Sequence, residues 1–145
     1  MEKIIHGFDA NEVVELYHYL CIYESELKLI VSKEAFVNSF YNHKELEQLI
    51  AGIVLNYCTK ESLKVIGLVP VENLVSMTKC RNTKTLSFLH HLRNSIAHGQ
   101  IEKDGDYIHL IDYGYENNEK VYSARGKIKS NVIFEIVQLS ENTIR

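Results

Sequence analysis

Residues 83–99 read TKTLSFLHHLRNSIAHG, and the rest of the chain is organised around this stretch. Leu86, Leu89, Leu92 and Ile96 recur at three- and four-residue spacing, which lines them along one stripe of a helix. Gly99 follows the last periodic residue, where a left-handed cap commonly ends a helix. Arg93 and His98 therefore fall in the last two turns of a helix whose other face is buried. Five steps of about 100° set their side chains about 140° apart on a regular helix. They meet at one site only if the helix tightens or frays at His98, or if a second copy supplies the other half.

On the N-terminal side, Asp9 and Glu12 have the spacing of a capping pair. Val13, Leu16, Leu20, Tyr23, Leu27 and Ile30 then share one face, which predicts a long helix over 10–32. Tyr17, Tyr19 and Tyr23 add aromatic mass suited to core or dimer packing, with RNA stacking as the alternative. Residues 33–42, KEAFVNSFYN, read as a short helix or an ordered loop. Leu46, Leu49, Ile50, Ile53, Val54 and Tyr57 predict a second helix over 43–57, with Gly52 inside it at a cost of about 1 kcal/mol. Thr59 can cap a third over 60–66, ended by Gly67, and Pro70 suits the first turn of another over 70–78. Lys79, Arg81 and Lys84 then gather ahead of Arg93, either as a solvated face or as a phosphate-binding flank.

Beyond the motif the period changes. Residues 106–113, DYIHLIDY, alternate Tyr107, His109, Ile111 and Tyr113 against Ile108, Leu110 and Asp112. A second β-like run occupies 119–128, and Gly114, Asn117 and Asn118 suit the turn between them. Tyr107, His109 and Tyr113 can line a substrate groove or sit as half-buried strand positions. Ser130 or Asn131 can cap a final helix. The expected fold is mostly α, a helical bundle with a small β-hairpin appended near the C-terminal third, in one domain over 1–145.

Composition narrows the function classes. A chain of 145 residues with 46% hydrophobic and 24% charged content fits one soluble globular domain. Cys21, Cys58 and Cys80 are an odd count without C-x-x-C pairing, so they read as small apolar residues in a reducing cytoplasm. The N-terminus has no apolar run of a signal peptide, and no uncharged stretch reaches the length of a membrane span. A formal charge of −3 argues against a protein that coats nucleic acid non-specifically; any RNA contact must come from a local cluster.

The string Arg93-Asn94-Ser95-Ile96-Ala97-His98, inside the phrase FLHHLRNSIAHGQI, resembles the Arg-polar-x-x-x-His motif of the HEPN superfamily. The similarity is close over 86–101, looser up to about residue 128, and elsewhere only helical in texture. Many members of that superfamily are small all-helical, metal-independent ribonucleases of toxin–antitoxin, phage-defence and CRISPR systems. The phrase looks most like the stand-alone bacterial HEPN nucleases. The resemblance implies a homodimer acting on RNA, with Arg93, Asn94 and His98 as catalytic residues. It also implies a product ending in a 2′,3′-cyclic phosphate, and a cognate antitoxin or regulatory protein as a further partner. Some HEPN domains are non-catalytic, and the alternative is a dimerisation module that binds RNA, nucleotide or protein.

The residue types fit that chemistry. Metal-free RNA cleavage needs a base for the ribose 2′-hydroxyl, a cation for the crowded phosphorane and an acid for the departing 5′-oxygen. Histidine suits proton transfer because its ordinary pKa, about 6.5, keeps both forms available near neutrality. Arginine presents a rigid charged fork matched to phosphate oxygens. Asn94 can orient His98, four residues on, or bond the phosphate without adding charge. One motif supplies one such histidine; two copies across a two-fold axis supply two. Against this stands a structural reading, in which Arg93 pairs with a surface acid and His98 caps its own helix.

Lys79, Arg81, Lys84, His90 and His91 are the expected substrate-binding flank, with His90 and His91 alternatively packed at an interface. His90, His91 and His98 invite a metal, but no Cys, Asp or Glu on the same helix completes a ligand set. Asp104-Gly105-Asp106 needs only to be a turn. No metal and no cofactor are expected.

Overall fold

The computed structural model describes residues 6–27, 43–66, 72–81 and 83–143. Helix α1 spans Ala10–Ile22. Its capping box forms as the sequence predicts: Glu12 N–H donates to Asp9 Oδ1 and Asp9 N–H to Glu12 Oε1, each at 3.0 Å. The helix then loosens into a π turn, Tyr23–Leu27. The predicted continuation to residue 32, and the segment 33–42, lie outside the described residues.

Helix α2, His43–Ala51, stops short of the predicted Tyr57. Gly52 N–H donates back to Leu49 and Ile53 N–H to Ile50, which closes the last turn. Residues Val54–Tyr57 become strand β1. Helix α3, Lys60–Ile66, follows where expected, with Ser62 N–H donating to the Thr59 hydroxyl. The predicted helix over 70–78 is overturned: Leu74–Met77 is strand β2, paired parallel with β1. Both errors have one cause. A short apolar run such as VLNY or LVSM fits a helical stripe and a buried strand equally, and the pairing partner decides.

The motif helix α4 spans Lys84–Ala97. Strand β3, Ile101–Asp104, follows at once and was not anticipated. Strands β4, Tyr107–Glu116, and β5, Glu119–Lys129, form the expected hairpin. Its two-residue turn places Asn117 and Asn118 at φ 51° and 65°, the left-handed region that asparagine tolerates. Helix α5, Ser130–Thr143, closes the chain.

The hairpin is not an appendage. It is the middle of a five-stranded sheet in the order β1-β2-β5-β4-β3, antiparallel except at β1–β2. The fold is therefore mixed α and β, not the mostly helical bundle that the periodicity implied. Strand parity assigns the faces. Ile108, Leu110, Ala124 and Ile128 are buried inward with Val75 and Met77. Against them pack Leu86, Phe88, Leu89 and Leu92 of α4 and Ile133, Ile136 and Val137 of α5. Leu16 and Tyr19 of α1 and Leu46 and Ile50 of α2 complete this core.

Candidate functional site

The motif helix is fixed at both ends. At its start the Thr83 hydroxyl accepts from Leu86 N–H at 3.1 Å. At its end Gly99 takes φ +66°, its N–H donates to Ile96 and Gln100 N–H donates to Ser95 at 2.7 Å. That bond pair is a Schellman cap, as the position of Gly99 predicted. His98 is the last residue before the reversal, exposed, with its own N–H still bonded to Asn94 at 3.0 Å. The helical bonding thus continues up to His98, whose own φ of −97° and ψ of 5° leave the helical region. Among the described residues the His98 imidazole makes no hydrogen bond.

Behind His98, a polar network occupies the seam between α4, the π turn and the sheet. Arg93 Nε donates to Glu24 Oε1 at 2.6 Å, and Arg93 Nη1 donates to Asn94 Oδ1 at 2.9 Å. An arginine only donates, so the Asn94 oxygen must face it and the Asn94 amide N–H groups must point the other way. They reach Asp112 Oδ2 and His90 Nε2, both at 3.3 Å. His90 Nε2 is then an acceptor, and its Nδ1–H faces the Tyr23 hydroxyl at 3.1 Å. Asn94 therefore orients His90, four residues back, where His98 was expected.

His91 is 4% exposed, and both of its nitrogens meet acceptors. Nδ1 lies 2.8 Å from Asp112 Oδ2, and Nε2 lies 2.9 Å from the Thr78 carbonyl. Two acceptors require two N–H donors, so His91 is an imidazolium. Burial alone would favour its neutral form, but hydrogen bonds with Asp112, Cys80 and Thr78 outweigh this and raise its pKa to about 9. His90 goes the opposite way. Burial first, then the guanidinium of Arg81 and the charge of His91, push it down to about 4. Burial likewise raises the Tyr23 hydroxyl to about 12, against the opposing pull of Arg81 and Arg93. Adjacent histidines thus hold opposite charge states at neutral pH.

Of the predicted flank, Arg81 lies within electrostatic reach of Tyr23 and His90, with Nη1 donating to the Cys80 carbonyl at 2.6 Å. Lys79 and Lys84 sit apart from the network, their ammonium groups 5.9 and 5.7 Å from the centre of the Tyr57 ring. His91 is sealed beneath the surface rather than facing a cleft. Sequence reasoning passed over Tyr23, Glu24 and Asp112. Tyr23 was read for packing on the apolar face of its helix, and Glu24 gave no signal. Asp112 did, as a carboxylate at the inward parity of Ile108 and Leu110. Among the described residues no three His, Cys, Asp or Glu side chains are grouped to hold a metal ion, and no helix is long and apolar enough to cross a membrane.

No curated protein and no solved structure matches the chain. A family model does, that of HEPN pEK499 p136, over residues 5–140. With nearly the whole chain covered, and the Arg-Asn-x-x-x-His string on a capped helix at the heart of the match, this protein belongs to the HEPN pEK499 p136 family.

Proposed function

We propose that the protein is a metal-independent endoribonuclease of the toxin or phage-defence type. It would cut RNA at a composite site where two copies each contribute Arg93, Asn94 and His98. The observation that carries this reading is the division of labour on α4. Arg93 is held by Asn94, which bonds to the buried Asp112–His91 pair, while His98 stands exposed on the capped end without a described partner. A guanidinium fixed in place suits charge stabilisation, and an accessible imidazole suits proton transfer.

On a regular helix Arg93 and His98 of one chain stand about 140° apart, so in this reading a second copy completes the site. One His98 would take the 2′-hydroxyl proton as the 2′-oxygen attacks phosphorus. The His98 of the other copy would give a proton to the 5′-oxygen as the P–O5′ bond breaks. The products are a 2′,3′-cyclic phosphate and a 5′-hydroxyl, with no water consumed. Incubating RNA with the protein in excess EDTA tests the reading. Cleavage to cyclic-phosphate ends is expected; activity that chelation removes and Mg²⁺ restores would contradict it.

One observation favours the non-catalytic alternative, a module that dimerises and binds RNA, nucleotide or protein. Arg93 already pairs with Glu24 at 2.6 Å, an anion where the phosphate would sit. Both side chains are partly exposed, so the pair is a weak competitor, worth about 0–1 kcal/mol.

A further inference from the structure

The sheet has a second face, turned away from the motif helix and its network. Odd-numbered positions of β4 point there, while Ile108, Leu110 and Asp112 point inward. On β5 a bulge opposite Asp112 and Tyr113 shifts the parity, so that Lys120 and Tyr122 share this outer face with Arg125 and Lys127. Tyr113 lies directly opposite Tyr122, and Tyr115 opposite Lys120. The Tyr113 ring stands edge-on to both neighbouring tyrosines, with centroids 6.0 and 6.1 Å apart.

Cations interleave these rings. Lys120 Nζ lies 4.1 Å from the Tyr113 centroid and 5.5 Å from that of Tyr122, and the Arg125 guanidinium lies 4.2 Å from Tyr122. Farther along, Lys127 Nζ lies 4.6 Å from the Tyr107 ring, beside His109. No carboxylate occurs on this face of β4 or β5. The acids stand at its margins: Glu102 and Asp104 on β3, Glu72 on the Tyr107 hydroxyl, Glu116 and Glu119 at the turn, and Glu61 of α3, which lines a cavity with Lys120. In a chain of net charge −3 that segregation is local and one-sided. Helix α3 packs along β5, where Arg125 Nη1 donates to the Leu63 carbonyl at 3.0 Å, and reaches the end of β4, where Lys60 Nζ donates to Glu116 Oε1 at 3.1 Å. Tyr115 is 69% exposed.

We infer that the outer face of the β4–β5 pair is a binding surface for single-stranded nucleic acid. Bases stack on Tyr113, Tyr115 and Tyr122, and phosphates pair with Lys120, Arg125 and Lys127. Flat rings accept any base, and the cations between them follow the backbone. The ten residues of β4 extend over about 33 Å, room for several nucleotides. An acidic protein segment would satisfy the cations but leave the ring faces without stacking partners. The face lies across the sheet from Arg93 and His98, so this inference goes beyond the nuclease reading and survives its failure.

The test is fluorescence anisotropy with a labelled single-stranded 2′-O-methyl oligoribonucleotide of about twelve nucleotides, which lacks the attacking hydroxyl. Replacing both Tyr113→Ala and Tyr122→Ala should weaken binding by at least about tenfold, while the Tyr→Phe pair stays within about twofold of wild type. Lys120→Gln with Lys127→Gln, a surface change that spares the fold, should lower affinity and flatten its salt dependence. Lys44→Gln, which removes an exposed cation on helix α2 and not on this face, should bind the probe as wild type does. The inference is overturned if the alanine pair binds like wild type, or if the phenylalanine pair loses as much as the alanine pair. It also falls if duplex RNA binds equally well, if polyglutamate displaces the probe as readily as unlabelled oligonucleotide, or if Lys44→Gln weakens binding as much as the paired lysine change.

Discussion

Asn94 donates and accepts at once, and that makes it the residue on which the site turns. Its oxygen fixes Arg93, and its amide nitrogen ties that arrangement to Asp112 and His90. Asp112 in turn holds His91 charged, 4% exposed beneath the sheet. Against the cost of burial, hydrogen bonds with Asp112, Cys80 and Thr78 raise the folded pKa of His91 to about 9, above its ordinary 6.5. The stabilisation this pair gives is therefore complete below pH 6.5 and is lost as pH rises through about 9. A shift of that size is on the order of 3 kcal/mol, a large share of a typical domain's stability. Asp112→Asn should lower the stability measured by urea unfolding at pH 6 by about 2–4 kcal/mol and flatten the decline between pH 6.5 and 9. An unchanged slope in that variant would show that His91 is not the titrating group. At this scale the sequence was half legible. Arg93, Asn94 and His98 were singled out by the resemblance of their string to a family motif, but the network around Arg93 and Asn94 needs contacts across 18 to 69 residues of chain, and no periodicity encodes those.

At the scale of elements, the π turn after α1 decides what the motif helix meets. It puts Tyr23 and Glu24, adjacent in sequence, onto His90 and Arg93, one turn apart on α4. Single π turns recur at functional sites because the extra residue redirects side chains in this way. If Glu24 competes with phosphate for Arg93, Glu24→Gln should raise single-turnover RNA cleavage by up to about fivefold, the most an exposed ion pair would withhold. A fall in rate would mean that Glu24 supports Arg93 instead. The sheet offers a sharper test. Gly126 lies opposite Val75, and a Cβ there would stand 2.5 Å from Val75 Cγ2 and 2.9 Å from the Leu74 carbonyl oxygen. Gly126→Ala must therefore push β2 away from β5, and a melting temperature lower by roughly 5 °C or more is expected. Unchanged melting would place β2 elsewhere. The capped helix and the hairpin were readable because each carries its own signals, Gly99 in one and the paired asparagines in the other. Strands β1 and β2 were not, because each has four residues and owes its state to a neighbour beyond its own sequence.

For the molecule as a whole, the sheet is the partition. Its inner face packs the core and anchors the motif helix through Asp112, and its outer face carries the tyrosines and cations. A helical bundle with an appended hairpin would have left the motif without that floor. In the proposed reading Arg93 of one copy and His98 of the other act in trans. A wild-type copy and a copy carrying both Arg93→Ala and His98→Ala, co-purified as a mixed pair through two different tags, test this most directly in RNA cleavage assays containing EDTA. His98→Ala in both copies should lose about 10²- to 10⁴-fold in rate with its melting temperature little changed, and the mixed pair, left with one His98 for a step that uses two, should also fall by about 10²- to 10⁴-fold. His98→Ala cleaving at the wild-type rate, or a mixed pair that keeps much of the wild-type rate through its intact copy, would contradict the composite site.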